Sequence, residues 1–340
     1  MTISASSPIR RENNVHQYAL DLSDLKKFIA ALAKTGPVKG PKAGDSGPVL
    51  GKISSAGELL LGFGNFRLPP KREFFPQCEV IEQKVSDEAS VIFGIRPCDA
   101  QALACLDMVF IDDRFVDPQY KKKRDNALVI SLACESPENS CFCTSTGGGP
   151  AEKTGSDIIA FHLKTSLLFE PVSKKGEAFL TLNKKLFREP AAKELQARAK
   201  QEDECKKAMS LVPVRDVPAA IGKKDSPAFW TEVSETCLSC GACTFLCPTC
   251  HCFDLSDETT SQGSRKLRTH DACMFAAFSR EASGHNPRPK PSDRMRQRIM
   301  HKLSYTQENF GRVFCVGCGR CVRFCPSNID IRETIVKATA

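Results

Sequence analysis

Two stretches of this chain repeat one spacing of cysteines. Cys237, Cys240, Cys243 and Cys247 are followed by Pro248, and Cys315, Cys318, Cys321 and Cys325 by Pro326; both read C-x2-C-x2-C-x3-C-P. Three thiolates at this spacing can wrap one corner of an iron–sulfur cube. The fourth lies too far along the chain to close the same cube, and in chains with two such runs it serves the other one. The spacing therefore assigns Cys237, Cys240, Cys243 and Cys325 to one 4Fe–4S cluster, and Cys315, Cys318, Cys321 and Cys247 to a second. Zinc also binds C-x2-C pairs, but it has no use for a third Cys plus a Cys-Pro, twice over. The prolines fix φ where the chain turns away from the cluster.

The elements that must carry the remaining thiols lie upstream. Residues 91–95 and 127–132 are short apolar runs suited to buried strands, with helical periodicity over 100–110 between them. This is a βαβ-like unit with parallel strands. Cys98 and Cys134 then fall just beyond the carboxyl ends of its strands, where open α/β sheets bind ligands, and Cys141 and Cys143 follow closely. These four read as a third site, most simply another 4Fe–4S cluster. Zinc and burial as small apolar side chains are the alternatives. Cys250, Cys252 and Cys273, with His251, His270 and Asp271 nearby, read either as a three-thiolate cluster with an open corner or as thiols lining a neighbouring cluster. Cys78, Cys105 and Cys205 have no partner pattern and are expected to be structural. His285 sits in a turn-like stretch, facing a cluster or the surface.

Elsewhere, 21–34 reads as a helix capped by Asp21 or Ser23, 36–47 as a loop and 58–66 as a strand. Segments 157–161, 167–172 and 178–182 read as short strands, and 190–209 as a charged helix. The fold class expected is an α/β (α+β) N-terminal domain over 1–212 and a linker over 213–228. A C-terminal ferredoxin-like two-cluster domain follows over 229–340, with a long insertion, 249–314, between its motifs.

Composition narrows the functions. No apolar run approaches the ~18 residues that span a bilayer. The polar, basic start of the chain has no apolar secretory segment, so its 18 cysteines point to a reducing, anaerobic cytoplasm rather than to disulfides. The formal net charge of +8 omits cofactors. At roughly −2 per oxidised cluster with its thiolates, two or three clusters remove about 4 to 6 charges. The basic runs 121–124 and 265–268 read as solvated faces or docking edges and lack the interleaved aromatics of a single-strand nucleic-acid binder. No dinucleotide fingerprint is complete: Gly62 and Gly64 lack the third glycine and the helix that must follow.

The residues Pro69-Pro70-Lys71, Gly94-Ile95-Arg96-Pro97-Cys98-Asp99, Cys247-Pro248-Thr249-Cys250-His251-Cys252, Asp271-Ala272-Cys273 and Gly284-His285-Asn286 carry a resemblance over about 20–330. With both cysteine motifs, the chain resembles the family of two-cluster 4Fe–4S proteins that includes the A component of anaerobic sulfite reductase and the sulfhydrogenase beta subunit. The resemblance implies an electron-transfer subunit. Its donor would be a flavin/NAD(P)H-binding or ferredoxin-type partner, and its acceptor a catalytic oxidoreductase subunit, of sulfite reductase, hydrogenase or disulfide reductase type. Arg320 and Arg323 flank Cys321 and are expected to favour the reduced cluster, or to form a solvated face. Two other readings remain: a catalytic chain with an open-corner cluster at Cys250, Cys252 and Cys273, and a nucleic-acid-associated iron–sulfur protein resting only on the basic runs.

Overall fold

Alternation of apolar side chains across parallel strands builds the N-terminal half. The computed structural model describes residues 16–81, 87–261 and 263–340; the polar start of the chain lies outside them up to residue 15. The strands, in chain order, are β1 (Tyr18–Asp21), β2 (Val38–Lys42), β3 (Val49–Lys52), β4 (Cys78–Val80), β5 (Ser90–Ile95), β6 (Ala127–Leu132), β7 (Ile158–His162) and β8 (Ser166–Pro171). All but β4 form one sheet, ordered β1-β8-β7-β6-β5-β2-β3. β2, β5, β6 and β7 run parallel, and β1, β8 and β3 are antiparallel to their neighbours. The helices of this half are α1 (Leu25–Thr35), α2 (Pro97–Phe110), α3 (Pro118–Asn126), α4 (Lys174–Leu182) and α5 (Ala192–Lys207). Val91, Phe93, Leu128 and Ile130 pack on one face with Phe28 and Leu32 of α1. Ile92 and Val129 point the other way, onto Leu103 and Leu106 of α2. Burying both faces explains the unbroken apolar runs.

The C-terminal half is helical: α6 (Val217–Lys224), α7 (Pro227–Ser234), α8 (Ala242–Phe245), α9 (Pro291–Met300), α10 (Thr306–Phe310), α11 (Arg320–Arg323) and α12 (Ile331–Thr339). Its core joins Val217, Ile221, Trp230, Met295, Ile299, Ile331 and Ile335. Between the two motifs, β9 (Phe253–Thr260) and β10 (Gly263–His270) form a hairpin. β4 adds to its β10 edge, so a strand of the N-terminal half completes that sheet.

Several sequence expectations are corrected. Residues 58–66 are not a strand, because the carbonyls of Leu61, Phe63 and Gly64 accept from the Arg96 guanidinium instead. Within 36–47, Val38–Lys42 is strand β2, where pairing with β3 and β5 overrides the Gly/Pro content. Residues 178–182 end α4, which the Ser173 side chain caps and Phe179 and Leu180 anchor. The helix expected from 21 begins only at Leu25, after a tighter turn over Leu22–Asp24, and neither Asp21 nor Asp24 caps with its side chain. Residues 217–224, expected in a linker, form α6: Val217 and Ile221, one turn apart, face the core, and Pro218 sits in the first turn, where proline is tolerated. The basic runs are not bare faces. Lys121, Lys122, Lys123 and Arg124 pair with Asp125, Asp87, Glu79 and Asp107. Arg268 is buried between Glu79 and Asp117, and Arg265 pairs with Glu258. Among the described residues, no helix is long and apolar enough to cross a membrane.

Candidate iron–sulfur centres

The two motifs fold alike. In each, a glycine in the left-handed region, Gly241 (φ 74°) and Gly319 (φ 72°), turns the chain into a one-turn helix, α8 or α11, that holds the third Cys. Cys237, Cys240, Cys243 and Cys325 line one cavity, together with Arg298 and Cys321. Cys325 thus sits with the first motif rather than with its own. Backbone amides address two of these sulfurs: Ser239 N–H donates to Cys237 Sγ (3.4 Å) and Ile329 N–H to Cys325 Sγ (3.2 Å).

Cys247 lies within electrostatic reach of Cys315, Cys318 and Cys321, and also of Cys243 in its own motif, so it stands between the two sets. Lys302 Nζ donates to Cys247 Sγ and to Thr249 Oγ1, both at 3.0 Å, and to the Phe314 carbonyl at 3.2 Å. The neighbouring Cys250 thiol, helped by the ammonium groups of Lys302 and Lys71, holds the Cys247 thiol well below its ordinary value.

Cys98, in the first turn of α2, Cys134, just past β6, and Cys141 and Cys143, in the loop beyond, line a second cavity. Cys318 and Gly317 border the same cavity, so the second and third thiol sets are neighbours. Phe142 N–H donates to the Gly317 carbonyl (2.8 Å) and Asn65 Nδ2 to that of Cys318 (2.9 Å). A Cβ at Gly317, itself at φ 60°, would overlap the backbone of Cys143, and one at Gly319 would overlap that of Ser140. The glycines of the second motif therefore serve this contact as well as the turn. Arg96, fully buried, braces the third set by donating to the carbonyls of Leu132 and Ala133 at 3.1 and 2.9 Å.

Cys250 is buried within electrostatic reach of Cys247, and Cys252 of Cys273, which packs against the same core as Cys237 and Cys243 of the first motif. Burial pushes His251 down to about 4 and His270 to about 3, which keeps both rings neutral at pH 7. His285 is exposed in its turn. Of the thiols expected to be structural, Cys105 is in a core cluster, Cys78 is exposed, and Cys205 Sγ donates to the Cys134 carbonyl at 3.2 Å, touching the third set.

Arg320 corrects an expectation. It is neither a solvated face nor a free charge beside Cys321: it is fully buried and donates to both Asp99 oxygens at 2.8 Å and to the Phe66 carbonyl at 2.6 Å. Arg323 likewise pairs with Glu138 at 2.9 Å and donates to Asn65. The buried cations whose electrostatic partners are mainly thiols are instead Lys71, Arg298 and Lys302. Sequence reasoning missed these as site residues, although Arg294, Arg298 and Lys302 recur every four residues beside Met295, Ile299 and Leu303. Such a basic stripe inside an apolar helix face needs buried negative charge opposite it.

Among the described residues, no three His, Cys, Asp or Glu side chains converge on a single-ion site. The thiols stand around cavities bordered by buried cations, a donor set that fits an anionic polynuclear cluster. Burial pushes Cys134, Cys141 and Cys318 up to about 11 and Cys315 to about 12. Such thiols keep their protons at neutral pH and lose them on binding iron. Loading of the apo chain with iron and sulfide is therefore expected to release protons and to improve as pH rises from about 7 to about 9. Bound iron at fixed total iron measures this, and loading indifferent to pH contradicts it.

The chain matches the 4Fe–4S dicluster domain family over residues 236–329, a span that holds both motifs. It is 30% identical over 317 residues to the sulfhydrogenase 2 subunit beta of Pyrococcus furiosus, a match that covers 89% of this chain and 92% of that relative. The chain belongs to the family of sulfhydrogenase beta subunits and carries 4Fe–4S clusters in its dicluster domain.

Proposed function

We propose that the chain relays electrons, one at a time, through a cytoplasmic oxidoreductase complex of sulfhydrogenase type. Its donor is a flavin/NAD(P)H-binding or ferredoxin-type partner and its acceptor a catalytic subunit. The observation that carries this reading is the exchange of the fourth cysteines, with Cys325 in the cavity of Cys237, Cys240 and Cys243. Cys247, Cys315, Cys318 and Cys321 hold the second cluster, and Cys98, Cys134, Cys141 and Cys143 a third. Clusters at these positions supply one-electron reduction and oxidation when bound. The protein's own part is to fix the thiols, to donate N–H bonds to sulfur and to place buried cations against the negative charge. We read 1–212 and 229–340 as the two domains, joined over 213–228, whose helix α6 packs on the second, and 249–314 as an insertion in that second domain.

Cys250, Cys252 and Cys273 support this reading as thiols bordering the paired-motif clusters rather than as an open catalytic corner, since their electrostatic neighbours are each other and Cys247 and Cys243 of the first motif. Anaerobic affinity isolation of the full chain from its own cells is expected to bring down two partners, one bearing flavin and one a catalytic metal. Isolation of the chain alone, fully loaded with iron and without partners, contradicts the relay.

A further inference from the structure

Among the described residues, Arg298 is the one buried arginine whose placement the protein's own hydrogen bonds do not explain. It lies on α9, one turn after Arg294, and both are buried. Arg294 donates to the carbonyls of Met274, Arg288 and Pro289 and to Ser239 Oγ. Arg96 and Arg320 are likewise matched by carbonyls and by Asp99. Arg298 Nε, by contrast, is buried with no hydrogen-bond partner among the described residues. Its side chain borders the cavity of Cys237, Cys240, Cys243 and Cys325, which Cys321 of the other set also lines. A buried cation persists only where negative charge and acceptors face it. Here the facing groups are thiols from both motifs.

We propose, resting on the cluster reading above, that Arg298 is a positioning residue shared by the two paired-motif sites: it donates N–H bonds to cluster sulfur and raises the reduction potential of both. Adding one electron to either site adds one negative charge, and a fixed neighbouring cation favours that state. Hydrogen bonds to sulfur act in the same direction. Lys302, one turn further along and bonded to Cys247 Sγ, adds a second cation on the second site only.

The test uses the full chain, purified anaerobically as wild type, Arg298→Gln and Arg298→Lys. Iron and acid-labile sulfide are measured first, then dithionite potentiometric titrations are followed by EPR. Arg298→Gln is expected to load like wild type but to lose at least about tenfold in the reduced-to-oxidised ratio at fixed poise, about 59 mV for a one-electron couple. Arg298→Lys keeps the charge and is expected to stay within about threefold of wild type. Wild-type potentials in a fully loaded Arg298→Gln overturn the proposal, as does an Arg298→Lys variant displaced as far as Arg298→Gln. If Arg298→Gln takes up no iron, the decision passes to wild type labelled with nitrogen-15 in its guanidino groups. A hyperfine coupling on the reduced clusters that disappears in Arg298→Lys supports the proposal, and no coupling in wild type overturns it. Wild type without acid-labile sulfide removes the cluster reading, and this proposal with it.

Discussion

Asp99→Ala is expected to cost the folded protein about 3–5 kcal/mol, the penalty for breaking a buried ion pair and leaving one charge behind. Asp99 is itself buried and is the carboxylate partner of Arg320, which has no exposed surface. The pair is bidentate, with both distances 2.8 Å, the geometry in which guanidinium and carboxylate bind most strongly. It joins positions 221 residues apart: Asp99 follows Cys98 in the first turn of α2, and Arg320 precedes Cys321 in the second motif. Its loss therefore loosens the second and third thiol sets together. Denaturant unfolding of the loaded protein measures the cost, and a change below about 1 kcal/mol, the range of an exposed pair, contradicts the account. The double variant Asp99→Leu, Arg320→Met is expected to recover much of the loss, since it buries neither charge.

Cys325→Ala is expected to abolish the cluster of the first motif while sparing that of the second, although Cys325 belongs in sequence to the second. The variant should lose about 4 of its iron atoms. The EPR signal that survives should be the one lost in Cys315→Ala. Loss of the second-motif signal in Cys325→Ala would mean that each run closes its own cluster. The geometry opposes that outcome: Cys325 shares a cavity with Cys237, Cys240 and Cys243.

What could be read ahead of the structure was what short-range spacing encodes. The motif cysteines, the apolar runs of β5 and β6 and the helix between them depend on neighbours a few residues away. Cys98 and Cys134 could be placed because a parallel βαβ unit puts both strand ends on one sheet edge. What could not be read depended on distant partners. Residues 58–66 look like a strand until Arg96, about thirty residues on, takes their carbonyls. Arg320 looks like a surface charge until Asp99 reaches it from the other half. α6 looks like a linker because Pro218, Gly222 and the prolines that flank it outweigh, in a local view, the two apolar side chains that dock on the C-terminal core. The buried cations Lys71, Arg298 and Lys302 fall in the same class. Their counter-charge comes from thiols gathered from several segments, which turn negative when they give up their protons to bind iron.

The most direct test of the central claim is the metal content of the anaerobically purified full chain. The account predicts at least about 8 iron and 8 acid-labile sulfide per chain, rising to about 12 of each with the third site loaded. Stoichiometric zinc without acid-labile sulfide would contradict it.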